Sequence, residues 1–169
     1  MKEFLILFFI VLLFGCTAQT DTGDDSIQTI KIESNSFSEG KEIPSTYTCQ
    51  GEDVSPHLKW NSVEGTKAYA LVVDDPDAPM GPWVHWRIVN IPSNKTELLE
   101  GEVVGEEVIN SFGGTAYGGP CPPSGKHRYY FKIYALDAEL ENITAENFDS
   151  IVAKHTIANG QMMGTYEKK

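Results

Sequence analysis

Residues 74–90 read DDPDAPMGPWVHWRIVN and run from the end of one predicted strand through the next. The run 68–73 before them is apolar on both alternations and ends in two β-branched residues, which predicts a strand covered on both faces. Pro76, Pro79 and Pro82 cannot donate to a sheet ladder, so that strand must end there. A second strand is predicted over residues 83–91. Carboxylates at the end of a buried strand, followed by a histidine, indicate a site at this edge of the sheet.

Asp75 and Asp77 flank one proline at a spacing of two, so their side chains are expected on the same side of an extended backbone. Alternation along the second strand predicts one face with Trp83, His85, Arg87 and Val89 and the other with Val84, Trp86 and Ile88. His85 thereby returns towards the edge that carries the aspartates. The alternative is that the aspartates only cap turns and that His85 is a satisfied interior histidine.

The N-terminal residues predict export. An apolar run over residues 4–14 is too short to span a bilayer comfortably but is typical of a signal-peptide core. The Gly15-Cys16 junction resembles a lipoprotein signal, so we expect a signal peptide at 1–15, lipidation of Cys16 and a polar tether at 16–26. This places the protein on the outer face of a prokaryotic membrane, periplasmic or at the cell surface. Simple secretion and an uncleaved anchor are the alternatives.

The remaining residues, 27–169, have the length of one domain. The formal net charge of −11 is spread along the chain, and no basic cluster occurs. Because binding to a phosphate backbone needs clustered Lys and Arg, no nucleic-acid partner is expected. Recruitment to an anionic lipid surface by charge is excluded for the same reason.

Short runs separated by Gly, Pro and Asn clusters predict a mainly antiparallel β domain. The predicted strands cover residues 29–32, 68–73, 84–91, 107–109, 129–136 and 157–166, with a short strand ending near Trp60. One helix is predicted, capped by Thr144, because Phe148, Ile151 and Val152 recur at helical spacing.

A second polar group follows the loop 113–125, which reads GGTAYGGPCPPSG. Its glycines permit close backbone approach and exposed N–H groups, and its prolines stiffen it, as expected for the wall of a pocket. In the strand that follows, His127 and Tyr129 share a face with apolar residues and lie at the polar end of that face.

Several motifs in order resemble the phosphatidylethanolamine-binding protein family, in its prokaryotic Raf-kinase-inhibitor-like branch. They are TCQGEDVSP at 48–56, DPDAP at 75–79 with His85, GPCPP at 119–123, GKHRY at 125–129 and GTY at 164–166. The resemblance runs from about residue 30 to residue 166. It implies a Greek-key β-sandwich of two antiparallel sheets with one or a few peripheral helices.

The resemblance also implies an anion pocket built from seven residues: Asp75, Asp77, His85, Pro122, Pro123, His127 and Tyr129. Such a pocket takes a small anion, phosphate or a phospholipid head group, without a cofactor and without turnover. A carboxylate that accepts from one ring nitrogen fixes the histidine tautomer, so we expect the aspartates to orient the histidines and the histidines to bind. Both histidines are expected at the polar end of the sheet, outside its core. Affinity should then weaken as the pH rises through the histidine range, near 6.5 unless shifted.

Three other interpretations remain open. A hydrolase is one, because Ser124 precedes His127 and an aspartate is available, although no Gly-x-Ser-x-Gly elbow occurs. A metal site formed by His57, His85, His127 and the two aspartates is another, although no typical ligand spacing supports it. The third is an interaction protein, since the resemblance implies inhibition of a protease or kinase partner.

The cysteines extend the export hypothesis. If Cys16 carries lipid, Cys49 and Cys121 remain in an oxidising compartment and are predicted to form a disulfide, with two buried thiols as the alternative. Asn94 and Asn142 each begin an N-glycosylation acceptor pattern, and their modification is left open.

Overall fold

The computed structural model describes residues 28–169. The predicted signal peptide, Cys16 and the tether to residue 26 lie outside these residues. A six-stranded sheet, in the order β1-β9-β8-β4-β5-β7, packs on a three-stranded sheet in the order β2-β3-β6. The strands and the helix are β1 Gln28–Thr29, β2 Ile32–Glu33, β3 Leu58–Trp60, β4 Ala68–Asp75, β5 Trp83–Pro92, β6 Glu97–Leu98, β7 Glu106–Glu107, β8 Lys126–Leu136, α1 Phe148–His155 and β9 Thr156–Glu167.

Antiparallel pairing dominates both sheets, and the pair β1–β9 is parallel over two residues. A 3-10 turn at Ser45–Tyr47 lies between β2 and β3. The fold predicted from the sequence, a mainly β sandwich of two sheets with a peripheral helix, is confirmed. Within residues 28–169 no helix is long and apolar enough to cross a membrane.

β4 organises the core, as its run of apolar residues predicts. Tyr69, Leu71 and Val73 point into the main cluster between the two sheets, and Ala70 and Val72 point into a second cluster beneath α1. All of these side chains are buried. A strand that supplies both clusters fixes the register of its neighbours β5 and β8, because a slip of one residue would exchange its two faces.

Two predicted elements differ in detail. The run predicted as one strand at 29–32 is divided between the sheets, since β1 pairs with β9 and β2 pairs with β3. The helix begins at Phe148, and Thr144 does not cap it; Asn147 occupies the N-cap position, and its side chain makes no capping hydrogen bond to the helix. Thr144 takes part through its backbone: its carbonyl accepts the Phe148 N–H at 3.1 Å, and its N–H donates to Oδ1 of Asn147 at 2.8 Å.

A disulfide joins Cys49 to Cys121, with a Cα–Cα distance of 5.5 Å. Both residues are exposed and bonded to each other, which contradicts the alternative of two buried thiols. The bridge ties the turn after Tyr47 to the glycine- and proline-rich loop, and the Cys49 N–H also donates to the Pro120 carbonyl at 3.2 Å. The loop is therefore held at a defined place against the sheet edge.

Replacing both Cys49 and Cys121 by alanine should lower the free energy of unfolding by about 3–4 kcal/mol, because the bridge closes a long loop in the unfolded chain. Denaturant unfolding followed by tryptophan fluorescence measures this. Ser124→Ala, an exposed change in the same loop, serves as the control and should leave the midpoint in place. An unchanged midpoint in the double variant would contradict this stabilising role.

Candidate functional site

A cavity of about 360 Å³ opens at the sheet edge where β4 ends and β5 and β8 begin. Its polar lining consists of Asp75, His85 and Tyr129. Its other walls are formed by Ala78, Pro79, Met80, Trp83, Phe112, Cys121, Pro122 and Pro123. Of the seven predicted site residues, five line the cavity: Asp75, His85, Pro122, Pro123 and Tyr129. Asp77 and His127 do not line it. Asp77 contacts Arg128 at the start of β8, and His127 contacts Asp75 at the end of β4.

His85 lies on a β-bulge. Val73 pairs with Trp86 and Asp74 pairs with Val84, which leaves His85 without a partner on β4. The predicted strict alternation is therefore wrong here, because a bulge inserts one residue and re-aims the side chains around it. Trp86 is buried in the main core and His85 contacts Tyr129 on the same side, while Val84 packs against the other cluster. The bulge brings His85 to the cavity.

The tautomer of His85 is set by the glycine-rich loop and not by an aspartate. Its Nδ1 lies 2.6 Å from the Gly118 carbonyl oxygen. A carbonyl oxygen only accepts, so Nδ1 carries the proton and donates. Nε2 has no hydrogen-bond partner among the described residues and is the ring nitrogen left for a ligand. The ring is held edge-on against Phe112 and Tyr129, each with centroids 5.3 Å away.

Burial lowers the pKa of His85 below its ordinary value of 6.5. The Gly118 carbonyl and the charges of Asp75 and Asp53 act in the opposite direction but do not cancel the effect of burial. In the folded protein at neutral pH His85 is neutral, and its Nε2 is an acceptor. Both histidines lie at the sheet edge and belong to neither hydrophobic cluster, as expected, but they are buried, with His85 3% and His127 7% exposed.

Asp75 is the buried carboxylate of the site. Its Oδ1 accepts the Asp77 N–H at 2.8 Å, and its Oδ2 lies 2.8 Å from Nδ1 of His127. Both oxygens are thus engaged, as a buried carboxylate requires. The expected role of an aspartate in orienting a histidine applies to this pair, and His127 supports the cavity from behind Asp75.

Asp77 orients the start of β8. Its carboxylate accepts from Arg128 at both oxygens, at 2.6 and 2.8 Å, and from the Arg128 backbone N–H at 3.0 Å. These bonds lower the pKa of Asp77 to about 2. Because this pKa is depressed in the folded state, the stabilisation is present above the ordinary value of 3.8 and is lost as the pH falls towards 2.

The hydroxyl of Tyr129 is buried and has no hydrogen-bond partner of good geometry. The residue is 0% exposed, and burial followed by the charge of Asp75 raises its pKa well above the usual range. The phenol is therefore protonated, and the Asp75 carboxylate and the Cys121 backbone lie near its oxygen without forming a hydrogen bond of good geometry. Leaving such a group unsatisfied costs about 1–3 kcal/mol, a cost that a ligand in the cavity would remove.

The loop that forms the cavity wall is held by Tyr47 and by Asp53 of the TCQGEDVSP segment. The Gly119 N–H donates to Oδ1 of Asp53 at 2.6 Å, and the Tyr117 hydroxyl donates to the Tyr47 carbonyl at 3.0 Å. A Cβ at Gly119 would clash with the Tyr47 carbonyl and would lie 2.8 Å from Cα of Thr48. Only glycine allows this approach.

Sequence reasoning missed several residues of the site. Trp83, Met80 and Phe112 form an apolar rim, of which Met80 is 95% and Phe112 is 54% exposed. Asn110 is buried and shapes the loop by donating to the Ala116 carbonyl at 2.7 Å. Met80 and Trp83 each follow a proline, which was a usable signal for the rim, whereas nothing local marked Phe112 or Asn110.

Within residues 28–169 the structure does not bring together the groups that a Ser-His-Asp hydrolase or a metal site would need. Ser124 is exposed and does not line the cavity, and no hydrogen bond joins it to His127. His57 is satisfied elsewhere: its Nδ1 accepts the Asn35 N–H at 3.1 Å and its Nε2 lies 2.9 Å from Glu97. Across residues 28–169 no group of three or more His, Cys, Asp or Glu side chains is placed to hold a metal ion.

The chain matches a family model described as phosphatidylethanolamine-binding protein over residues 33–167. It is similar to a UPF0098 protein of Aquifex aeolicus, with 51% identity over 65% of this chain and 70% of that protein. It is also similar to a UPF0098 protein of Methanothermobacter thermautotrophicus, with 39% identity over 82% of this chain and 99% of that protein.

Two solved structures share the fold. The homologue CT736 from Chlamydia trachomatis superposes with a TM-score of 0.79 at 37% identity, covering 85% of this chain and all of that one. Escherichia coli YbcL, described as a member of the mammalian family, superposes with a TM-score of 0.77 at 31% identity, covering 83% of this chain and 99% of that one.

Proposed function

This chain belongs to the phosphatidylethanolamine-binding protein family, and from that premise we propose that it is a binding protein whose cavity takes a small anion, a phosphate or a phospholipid head group. The observation that carries the proposal is the buried, unpartnered hydroxyl of Tyr129, a residue that lines the cavity. A protonated phenol in this position is a directed donor to an acceptor atom of a ligand. Nε2 of His85 supplies the second contact.

Charge on the cavity floor sets a condition on the ligand. Asp75 is negative, and neutral His85 offers a lone pair, so a fully ionised anion would meet an acceptor. Binding an anion therefore requires one proton between Nε2 and the ligand. The proton arrives with a partly protonated phosphate, or His85 takes it up when the anion binds. In both cases binding is favoured at lower pH.

The walls indicate how the rest of a ligand is accommodated. Pro122, Pro123 and Trp83 surround the polar floor with apolar surface, and Met80 and Phe112 extend that surface into solvent. A head group on the floor with an apolar portion against this rim fits both parts of the cavity. The same exposed rim suits a protein partner, so modulation of a protease or a kinase remains part of the proposal.

Binding without turnover is the proposed activity. Tyr129 is held protonated and Cys121 is in a disulfide, so neither is an activated nucleophile. Asp75 has both oxygens engaged in hydrogen bonds. The lining contains no Ser or Thr, so hydrolysis through such a nucleophile has no candidate residue there.

Tyr129→Phe should weaken phosphate and phosphoethanolamine binding about tenfold, the effect of losing one hydrogen bond to a charged ligand. Its free energy of unfolding should stay the same or rise by about 1 kcal/mol, because the lost hydroxyl had no partner. Isothermal calorimetry at pH 6 and denaturant unfolding give the two values.

Tyr69→Phe is the matched control. Tyr69 is also 0% exposed with a buried, unpartnered hydroxyl, but it packs against Trp60 in the core, away from the cavity. Its substitution should change stability in the same way and leave affinity unchanged. Equal affinity in wild type and Tyr129→Phe would show that the ligand does not use this cavity floor.

The proposed setting is the outer face of a prokaryotic membrane, with lipid attached at Cys16. The Gly15-Cys16 junction and the disulfide between Cys49 and Cys121 support export to an oxidising compartment. Mass spectrometry of the native protein should find a mature chain that starts at a lipid-modified Cys16. Recovery of an unmodified chain from the detergent-free soluble fraction would contradict the anchor, and Cys16→Ala provides the unlipidated reference.

A further inference from the structure

A single peptide group links Asp53 to His85. The group between Gly118 and Gly119 contributes its N–H to Oδ1 of Asp53, at 2.6 Å, and its carbonyl oxygen to Nδ1 of His85, also at 2.6 Å. We propose that Asp53 acts on His85 through this peptide group and thereby sets the pH at which the cavity accepts an anion. This inference rests on the proposed function only for its consequence for binding; the link itself concerns the free protein.

The physical basis is the polarisation of an amide hydrogen-bonded at both ends. A carboxylate that accepts the N–H shifts electron density towards the carbonyl oxygen of the same amide, and that oxygen becomes a better acceptor. The Nδ1–H of His85 then donates to a stronger acceptor, which stabilises the protonated ring more than the neutral ring. Asp75 is the direct hydrogen-bond partner of Nδ1 of His127, whereas Asp53 acts on Nδ1 of His85 through the peptide group.

The backbone on both sides is specialised for this contact. Asp53 has a φ of +56°, a left-handed conformation that Asp and Asn tolerate better than other non-glycine residues. A Cβ at Gly119 would collide with Oδ1 of Asp53, so only glycine permits a contact this close. Both features serve to bring one carboxylate to one N–H group.

Holding the loop does not by itself require a charge at residue 53. The disulfide, the bond from the Tyr117 hydroxyl to the Tyr47 carbonyl and the bond from the Cys49 N–H to the Pro120 carbonyl fix the same loop. An asparagine oxygen would accept the Gly119 N–H with the same geometry. What the carboxylate adds is its charge.

The charged and titratable groups around His85 are few. Asp75 and Tyr129 face it from β4 and β8, Asp53 acts from the loop side, and His127 lies behind Asp75. Burial lowers the pKa of His85, while the Gly118 carbonyl, Asp75 and Asp53 raise it. Removing the charge of Asp53 therefore lowers the pKa of His85 further.

Asp53→Asn tests the link, because it keeps the acceptor and the tolerated backbone conformation and removes only the charge. The His85 ring is followed by NMR across pH 4 to 8 in the ligand-free protein. The titration midpoint of His85 should move to lower pH in Asp53→Asn and stay in place in the control Glu52→Gln, which removes a neighbouring exposed charge. In wild type the Gly119 amide proton should shift with the same midpoint as His85.

Structural integrity is read from the same spectra. Retention of the Nδ1–H tautomer of His85 in Asp53→Asn shows that the loop is in place. If the loop is lost, wild type alone still decides the question: a Gly119 amide proton that does not follow the His85 titration overturns the inference. An unmoved His85 midpoint in a well-folded Asp53→Asn overturns it as well.

Sulfate binding at pH 6.5 then separates this inference from the proposed function. A lower His85 midpoint together with several-fold weaker sulfate binding supports both. A lower midpoint with unchanged sulfate affinity supports the link and contradicts the cavity as the anion site. An unchanged midpoint contradicts the link, whatever the affinity.

Discussion

The hydrogen bond from His85 to the Gly118 carbonyl is the contact on which the rest of the site depends. It joins the bulge of β5 to the glycine-rich loop, and so it joins the sheet to the cavity wall. The loop in turn is tied to the segment around Cys49 and Asp53 by a disulfide and a short hydrogen bond. If the loop moved, the imidazole of His85 would lose its hydrogen bond and the cavity wall would open at the same time.

The two histidines of the site are buried in different surroundings. His127 faces a carboxylate directly, whereas His85 faces a peptide carbonyl and an aromatic cage. Burial without a direct carboxylate partner keeps His85 neutral and leaves its Nε2 as an acceptor. Under the proposed function, the Tyr129 hydroxyl is the donor that meets an anion at neutral pH, and the histidine decides whether a proton accompanies the anion. This division of roles follows from the partners of each ring and not from their distance along the chain.

Much of the fold follows from periodicity, while the site follows from sequence only in part. The apolar run 68–73 predicts a strand buried on both faces, and β4 is that strand. The position of His85 relative to Trp86 could not be predicted, because a bulge is decided by pairing with β4 and leaves no local signature. Asp53 and Gly119 lie sixty-six positions apart, so their contact also depends on tertiary structure. The division of residues 29–32 between two sheets has the same origin.

The dependence of sulfate affinity on pH tests the central claim most directly. Sulfate keeps its charge between pH 5 and 8, so any change in its affinity reports protons taken up by the protein. The account predicts an affinity that falls as the pH rises above the His85 pKa, by about tenfold per pH unit for one proton. The dependence should disappear in His85→Gln and persist in His155→Gln, which alters a half-buried histidine paired with Asp137. An affinity for sulfate that is constant across this range in wild type would contradict the account.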